Sequence, residues 1–256
     1  MRIPSKQISV LLAVLLSVSY ARAQAVKIAA AADLKFAMTE LAAQFEKQSG
    51  AKLDVTYGSS GNFLTQIQNG APFDLFFSAD SEYPKKLEAA GLAEPGTLRE
   101  YAVGHVVIWT PSDSGVNAAK DGWKCLLDQS VKKIAIANPE HAPYGRAAVA
   151  AMKKAGIYEQ VKDKLVFGEN ISQAAEFVQS GNAQVGIVAL SLAISPAMKH
   201  GNRWEISADT YPPIKQAVVL LKASKNKDAA RRFLEFVSGS QGREILQRFG
   251  FTVPTP

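Results

Sequence analysis

The sequence predicts an α/β fold with largely parallel strands. Short β-like runs alternate with amphipathic helical segments through most of the chain, which is the pattern of sheets covered by helices. Hydrophobic residues make up 47% of the 256 residues, enough for one large core or two medium ones. The alternating strands and helices form two series along the chain, and the second series starts near residue 106. Sheets of this kind bind ligands at the carboxyl ends of their strands.

The first series contains a well-marked amphipathic helix. Its apolar residues recur at intervals of four, three and four residues: Leu34, Met38, Leu41 and Phe45. This spacing lines one face of a helix, and Gly50 marks the helix end. The predicted elements of the series are strands over 26–30, 52–57 and 74–78 and helices over 34–48 and 61–69.

The second series repeats this organisation and is followed by one more strand and two helices. Its predicted elements are strands over 106–110, 133–137 and 185–190 and helices over 145–155 and 172–179. After Tyr211-Pro212-Pro213 we expect a strand over 215–222 and helices over 228–237 and 241–249. The sequence contains no internal repeat that would suggest a solenoid.

Residues 1–23 have the pattern of an export signal. Arg2 and Lys6 precede an apolar run over 8–18, and Ala21-Arg22-Ala23 supplies the small-residue pattern of a cleavage site. The run is shorter than the roughly 20 residues that cross a bilayer. We therefore expect an exported, periplasmic mature chain without a membrane span.

The mature chain carries little net charge. Residues 1–23 hold three of the 29 basic residues and none of the 23 acidic ones, which leaves a net charge of +3. No basic stripe is interleaved with aromatic residues, so a nucleic-acid partner is not expected. Cys125 is the only cysteine and cannot form an intrachain disulfide. The three histidines lack the spacing of a metal site, and no cofactor is expected.

The loop Gly58-Ser59-Ser60-Gly61, between a predicted strand and a predicted helix, has the features of an anion site. Glycine lets backbone amides approach a ligand, the serine hydroxyls add donors, and the helix N-terminus adds unpaired N–H groups. The alternative is that Ser59 or Ser60 only caps the helix. The loop contains no lysine or arginine. Neutral dipoles would hold the anion, which suits a reversible carrier better than a catalyst.

The segment Asn138–Arg146 repeats the strand, turn and helix order of the serine loop. It follows a β-like run and precedes a predicted helix, so its backbone can present N–H groups at a second helix start. The alternative is an ordinary proline-rich connection. Together the two turns predict a site between two α/β lobes.

Six short strings in this order resemble the periplasmic molybdate-binding proteins of ABC importers. They are residues 29–34 (AAAADL), 58–61 (GSSG), 69–80 (NGAPFDLFFSAD), 138–145 (NPEHAPYG), 186–190 (GIVAL) and 250–251 (GF). The resemblance covers essentially the whole mature chain and implies the two-lobed type II periplasmic-binding-protein fold. We expect residues 24–102 and 212–256 to form lobe 1 and residues 103–211 to form lobe 2. The crossings near 103 and 211 would act as the hinge.

The resemblance also implies the ligand and its contacts. The ligand would be a tetrahedral oxyanion, molybdate or tungstate, held by hydrogen bonds between the lobes. The family's contacts fall at Ala32, Asp33, Ser60, Tyr144 and Ile171, and the serine loop and second turn add Ser59 and Arg146 as candidates. A metal would enter the site only as the centre of the oxyanion, bound through its oxygens by Ser60, Tyr144 and Ile171.

Asp33 departs from the family pattern, in which Ser, Thr or Asn is common at this position. A carboxylate should repel a dianion in a poorly hydrated cleft. We expect Asp33 to cap its helix and offer a backbone amide, while its side chain turns toward Arg146 or helical N–H groups. Arg146 would be the counter-ion, or alternatively a solvated helix residue.

These patterns predict a monomeric solute-binding protein, not an enzyme, that delivers an oxyanion to an ABC permease. One alternative is a carrier of another oxyanion such as sulfate or phosphate. A second is an exported serine hydrolase that uses Ser59 or Ser60. Against the hydrolase, the serine loop is not a G-x-S-x-G elbow, and no Asp and His follow in a convincing pattern.

Overall fold

A computed structural model describes residues 25–254 of the chain. The predicted export signal lies outside the described residues. Within them, the chain forms a mixed α/β fold with two five-stranded sheets. No helix between residues 25 and 254 combines the length and the apolar character needed to span a bilayer.

The strands alternate with helices as the sequence predicts. In chain order the strands are β1 (Val26–Ala31), β2 (Leu53–Gly58), β3 (Leu75–Ser78), β4 (Arg99–Gly104), β5 (Val106–Thr110), β6 (Ile134–Ala137), β7 (Leu165–Gly168), β8 (Val185–Ala189), β9 (Asn202–Glu205) and β10 (Ile214–Leu220). The helices are α1 (Lys35–Ser49), α2 (Ser60–Gln68), α3 (Glu82–Ala89), α4 (Ala118–Asp121), α5 (Lys124–Leu127), α6 (Pro143–Lys154), α7 (Tyr158–Val161), α8 (Ile171–Gln179), α9 (Leu190–Ala193), α10 (Lys227–Ser238) and α11 (Ser240–Arg248). Three 3₁₀ turns cover Ala32–Leu34, Lys162–Lys164 and Ala208–Thr210.

Each sheet mixes parallel and antiparallel pairs. The first has the order β2-β1-β3-β10-β4, with β1 parallel to β2 and β3, and with β10 antiparallel to β3 and β4. The second has the order β7-β6-β8-β5-β9, with β6 parallel to its neighbours and β5 antiparallel to its own. The α/β class is confirmed, but the prediction of largely parallel strands is wrong for half of the pairs. Parallel neighbours need a crossover connection, whereas β10 enters the first sheet directly from the second.

The chain passes between the sheets twice. Strand β4 ends at Gly104 and β5 begins at Val106, so His105 alone joins the sheets at the first crossing. Residues 206–213 join β9 to β10 at the second. The predicted lobe boundaries near 103 and 211 stay a prediction, which this sheet order supports.

The first sheet is covered by helices on both faces. On one face, Phe45 and Phe233 pack edge to face with ring centroids 5.1 Å apart, and Phe77 joins the same buried cluster. On the other face, Phe63 of α2 packs on Phe76 of β3 with centroids 6.3 Å apart. Phe76 and Phe77 therefore pack into the hydrophobic cores on opposite faces of the sheet, because successive side chains of a strand point to opposite faces.

The core of the second lobe extends into the first. Its buried cluster includes Ala31, Ala32 and Ala79 from the first lobe. These small residues allow the backbones of the two lobes to approach closely. They lie at or just beyond the carboxyl ends of β1 and β3, the sheet edge at which the sequence predicts a ligand site.

Three strands and five helices were not predicted from the sequence; the helices are α3 and the four-residue helices α4, α5, α7 and α9. Strands β7 and β9 lie at edges of the second sheet, and their residues are mostly half-buried or exposed. Strand β4 is an edge strand that begins with two exposed residues. Edge strands need no continuous apolar run, so their sequences lack the signal of the central strands. Helix α3 has only two buried residues, Pro84 and Leu87.

Candidate functional site

A small cavity lies between the two lobes, where β1 and β2 end and where α2 and α8 begin. Six of the seven predicted site residues line it: Ala32, Asp33, Ser59, Ser60, Tyr144 and Ile171. The seventh, Arg146, lines a different groove of about 340 Å³. The cavity between the lobes measures about 10 Å³, roughly the space that one water molecule needs. The two lobes are therefore in close contact around it.

Ser60 offers two hydrogen-bond donors to the cavity. It is the first residue of α2 and is 1% exposed. Its Oγ accepts the backbone N–H of Ala79 at 2.9 Å, so the hydroxyl hydrogen remains free for another acceptor. The first N–H groups of a helix have no acceptor within the helix. Neither Ser59 nor Ser60 makes a side-chain capping bond, so the interpretation of these hydroxyls as helix caps is wrong.

Ser59 links the lobes instead of pointing its donor at the cavity. Its hydroxyl donates to the carbonyl oxygen of His141 at 2.6 Å, and the Gly61 N–H donates to the same oxygen at 3.0 Å. The His141 Nδ1 lies 2.9 Å from the Ser59 Oγ. Since the Ser59 hydrogen is already donated, Nδ1 carries the hydrogen in this contact. Apart from its place in the second turn, no sequence pattern indicates this role of His141.

Ile171 begins a well-capped helix that points at the cavity. The Asn170 side chain accepts the N–H groups of Ser172 and Gln173 at 3.0 and 3.1 Å. The Ile171 N–H, at the first helical position, is left without an acceptor in its helix. The Ser172 hydroxyl donates across the lobes to the Ala32 carbonyl at 2.9 Å. This bond fixes the start of α8 against the end of β1.

Asp33 is the centre of a buried polar network. Its Oδ2 accepts the Tyr144 hydroxyl at 2.9 Å and also the Gln216 side-chain amide. The amide oxygen of Gln216 accepts the Tyr101 hydroxyl at 2.6 Å, which fixes the orientation of the amide. The other carboxylate oxygen of Asp33, Oδ1, has no hydrogen-bond partner among the described residues. A Cβ atom at Gly104 would lie 2.0 Å from the Tyr144 hydroxyl, so the network requires glycine there.

Burial dominates the electrostatics of this network. The Asp33 carboxyl is 1% exposed, and this desolvation raises its pKa to about 6, although hydrogen bonds from Gln216 and Tyr144 lower it. Burial and the neighbouring Asp33 charge raise the pKa of Tyr144 well above its usual range. The tyrosine therefore stays protonated and donates its hydrogen to Asp33.

Two predictions about Asp33 and Arg146 are wrong. The Arg146 guanidinium pairs with the Asp80 carboxylate and donates to the Tyr83 hydroxyl at 3.0 Å, not to Asp33. Arg146 lies two positions after Tyr144 in α6, so the two side chains leave the helix in nearly opposite directions. The Asp33 side chain turns instead toward Tyr144 and Gln216.

Gln216 and Tyr101 are the functional residues that sequence reasoning missed. Gln216 is fully buried in the otherwise apolar core of β10. A buried glutamine requires hydrogen-bond partners, and its place in an apolar strand was the available signal. Tyr101 lies on β4, an edge strand that was not predicted.

The two mixed sheets, the double crossing and the cavity between the lobes define the two-lobed fold of periplasmic binding proteins. Residues 26–252 match the family model of bacterial extracellular solute-binding proteins. The chain belongs to this family.

Two similar proteins and one similar solved structure are named as molybdate-binding proteins. The molybdate-binding protein ModA of Azotobacter vinelandii is 39% identical over 232 residues, covering 90% of this chain and 91% of the relative. ModA of Rhodobacter capsulatus is 41% identical over 223 residues, covering 87% and 86%. The solved structure of the A. vinelandii periplasmic molybdate-binding protein matches with a TM-score of 0.83 at 34% identity, covering 90% of this chain and 100% of that chain. The resemblance inferred from the sequence is confirmed.

The raised pKa of Asp33 predicts a pH-dependent gain in stability for Asp33→Asn. A carboxyl whose pKa is about 6 in the folded protein and 3.8 otherwise destabilises the fold once it is ionised. The contribution of the wild-type carboxyl to the free energy of unfolding is complete below pH 3.8, where it is protonated. This contribution is lost as the pH rises through 6. In urea unfolding without ligand at about pH 7.5, Asp33→Asn should be more stable than the wild type by about 2 to 3 kcal/mol.

The gain should disappear near pH 4, where the wild-type carboxyl is protonated. The exposed Asp209 provides the matched control, and Asp209→Asn should show no such difference between the two pH values. If the wild type and Asp33→Asn were equally stable at both pH values, Asp33 would not be a buried carboxylate that carries an uncompensated charge near pH 7.5.

Proposed function

We propose that this protein captures molybdate, or the equally charged tungstate, and delivers it to an ABC permease. The observation that carries the proposal is the convergence of uncharged donors from both lobes on one cavity. Ser60 and Ile171 begin helices in different lobes, and both residues line the same cavity. Helix N-termini are effective sites for tetrahedral anions. The molybdate-binding relatives support the choice of anion.

Binding in this proposal depends on movement of the lobes. A cavity of about 10 Å³ has no room for a tetrahedral oxyanion, so the lobes must separate slightly to admit it. The crossings at His105 and at residues 206–213 are the hinge. Bonds between the lobes then stabilise the closed state, among them Ser59 to His141 and Arg146 to Asp80. Secondary structure holds the donors in place within each lobe, so they move with their lobes as these open and close.

The proposal includes the cellular setting of the protein. An exported chain with a cleaved signal would work as a monomer in the periplasm and present its closed form to the permease. It would perform no chemistry on the anion and would need no cofactor. Membership of an extracellular solute-binding family supports this setting.

A serine hydrolase is disfavoured by the geometry around Ser59. The serine lies 2.9 Å from His141 Nδ1, and Glu169 lies 3.9 Å from Nε2 of the same ring, which superficially resembles a triad. The Ser59 hydrogen is donated to a carbonyl, however, and Nδ1 cannot accept it. The nearby Gly61 N–H is directed at the same carbonyl and cannot stabilise an oxyanion.

Anion selectivity tests the proposal directly. In calorimetric titrations, molybdate and tungstate should bind at micromolar concentration or below, whereas sulfate and phosphate should not bind at a roughly hundredfold excess. The reason is that donors fixed on two lobes define one cavity size, and a smaller anion leaves some of them unpaired. Tighter binding of sulfate than of molybdate would favour the alternative carrier and overturn the assignment.

Ser60→Ala should weaken molybdate binding without unfolding the protein. The lost bond is a neutral hydroxyl to a charged acceptor, so affinity should fall by about 1.5 to 3 kcal/mol, roughly 10-fold to 150-fold. Ser78→Ala is the matched control. Ser78 is equally buried and its Oγ also accepts a backbone N–H, that of Asp80 at 3.1 Å, but it does not line the cavity. Equal losses of affinity in both variants would remove Ser60 from the proposed contacts.

A further inference from the structure

Asp33 lines the cavity proposed for a dianion, and its Oδ1 is a buried carboxylate oxygen without a hydrogen-bond partner among residues 25–254. Among the residues that line the cavity, it is the only one with a charged side chain. Its Oδ2 accepts hydrogen bonds from two donors, whereas Oδ1 has no partner in the part of the chain that the structure describes. A buried acceptor without a donor is unfavourable. A carboxylate beside a second anion is more unfavourable still, because their repulsion is strong where water is excluded.

The elements packed around Asp33 supply no cation to neutralise it. Helix α6 contributes Tyr144, β10 contributes Gln216, and β4 contributes Tyr101 behind it. Helix α9 contributes only the Ser191 hydroxyl, which donates to the backbone carbonyl of Asp33 at 2.8 Å. None of the ion pairs found within residues 25–254 includes Asp33.

The basic and titratable groups nearest to these elements have other partners. Lys35 of α1 pairs with Glu176 of α8 at 3.6 Å, and both side chains are largely exposed. On α6, Arg146 pairs with Asp80. The charge of Asp33 can therefore be removed only by a proton.

We propose that this protein binds its oxyanion together with one proton, which is taken from solvent by Asp33 and shared with the bound anion. This inference rests on the proposed function. The proton forms an O–H bond at Oδ1 of Asp33, and no other covalent bond forms or breaks. The resulting neutral carboxyl donates a hydrogen bond from Oδ1 to an oxygen of the anion.

The surrounding bonds direct the proton to Oδ1. Tyr101 donates to the Gln216 amide oxygen, so only the amide N–H groups can face Asp33. With Tyr144 and Gln216 both donating to Oδ2, the open oxygen is the one without a partner. One proton thus removes the repulsion between two anions and adds a donor to the site. Gln216 and Tyr101 are positioning residues in this scheme.

The electrostatics of the unliganded site favour the same outcome. Burial already raises the pKa of Asp33 to about 6, and nearly complete protonation at pH 7.5 requires that the bound anion raise the pKa of the complex well above that pH. A dianion close to Oδ1 raises the pKa further, because a nearby negative charge disfavours ionisation. By linkage, affinity is greatest below the pKa of the free protein. It then falls about tenfold per pH unit until the pKa of the complex is reached.

Calorimetric titration with molybdate in two buffers of different ionisation enthalpy measures the protons taken up. At about pH 7.5 the wild type should take up close to one proton per molybdate bound, and its affinity should fall about tenfold between roughly pH 7 and 8. Asp33→Asn should take up none, and its affinity should be unchanged over that range. Molybdate titrates identically in both experiments, so the difference belongs to Asp33. Thermal melting establishes that the variant is folded.

Asp54→Asn is the matched control, because Asp54 is an exposed carboxylate of β2, in the same lobe as Asp33, and does not line the cavity. It should retain the proton uptake of the wild type. Uptake of less than about half a proton by the wild type would overturn the inference, and so would uptake that persists in Asp33→Asn. The wild-type measurement decides the question even if the variant fails to fold. An absence of molybdate binding at every pH would overturn the proposed function itself, whereas binding without proton uptake would overturn only this inference.

Discussion

An anion enclosed by protein and lacking a cationic partner must be held by oriented N–H and O–H groups, and this constraint shapes the cleft. Neutral donors at the starts of two helices provide such groups without a permanent charge. Ser60 and Ile171 occupy these positions in different lobes. In the proposed site neither lobe alone surrounds the anion, so binding and closure of the lobes would be one process. The sheets serve to bring the two helix starts to a common point.

The contacts between the lobes complete this design. Small residues at the ends of β1 and β3 let the backbones approach, and hydrogen bonds then fix the relative position of the lobes. Ser172 and Ser191 donate to carbonyls of Ala32 and Asp33 on the deep side of the cleft. Near its mouth, Arg146 pairs with Asp80 and lies over the Tyr83 ring, 5.5 Å from the centroid. Partly exposed pairs of this kind contribute little individually, which is compatible with a cleft that must reopen.

Much of this organisation could be predicted from the sequence. Helix α1 spans Lys35–Ser49 against a predicted 34–48, because its apolar residues recur at helical spacing. Strand β5 was predicted at its observed bounds, because it is a short continuous apolar run. The serine loop and the second turn identified both sides of the cavity, since glycine and serine before a helix have a local physical meaning. Direct contact of these residues with an oxyanion stays a prediction.

Side-chain direction and long-range pairing could not be predicted. Whether Arg146 reaches Asp33 or Asp80 depends on the rotation of α6 about its axis, which no local pattern fixes. The partner of Asp33 across the sheet, Gln216, is 183 residues away in sequence, and such pairings are set by tertiary packing. Edge strands were missed for a related reason, because their pairing depends on a neighbour and not on their own apolar pattern.

The central claim is that the anion lies between the two helix starts, enclosed by both lobes. A crystal structure of the protein grown with molybdate, using anomalous scattering to locate molybdenum, tests this claim most directly. The anomalous peak should lie in the cavity within hydrogen-bonding reach, through the oxyanion oxygens, of the Ser60 hydroxyl and the Ile171 N–H. A peak confined to the molecular surface, or to the groove beside Arg146, would contradict the claim.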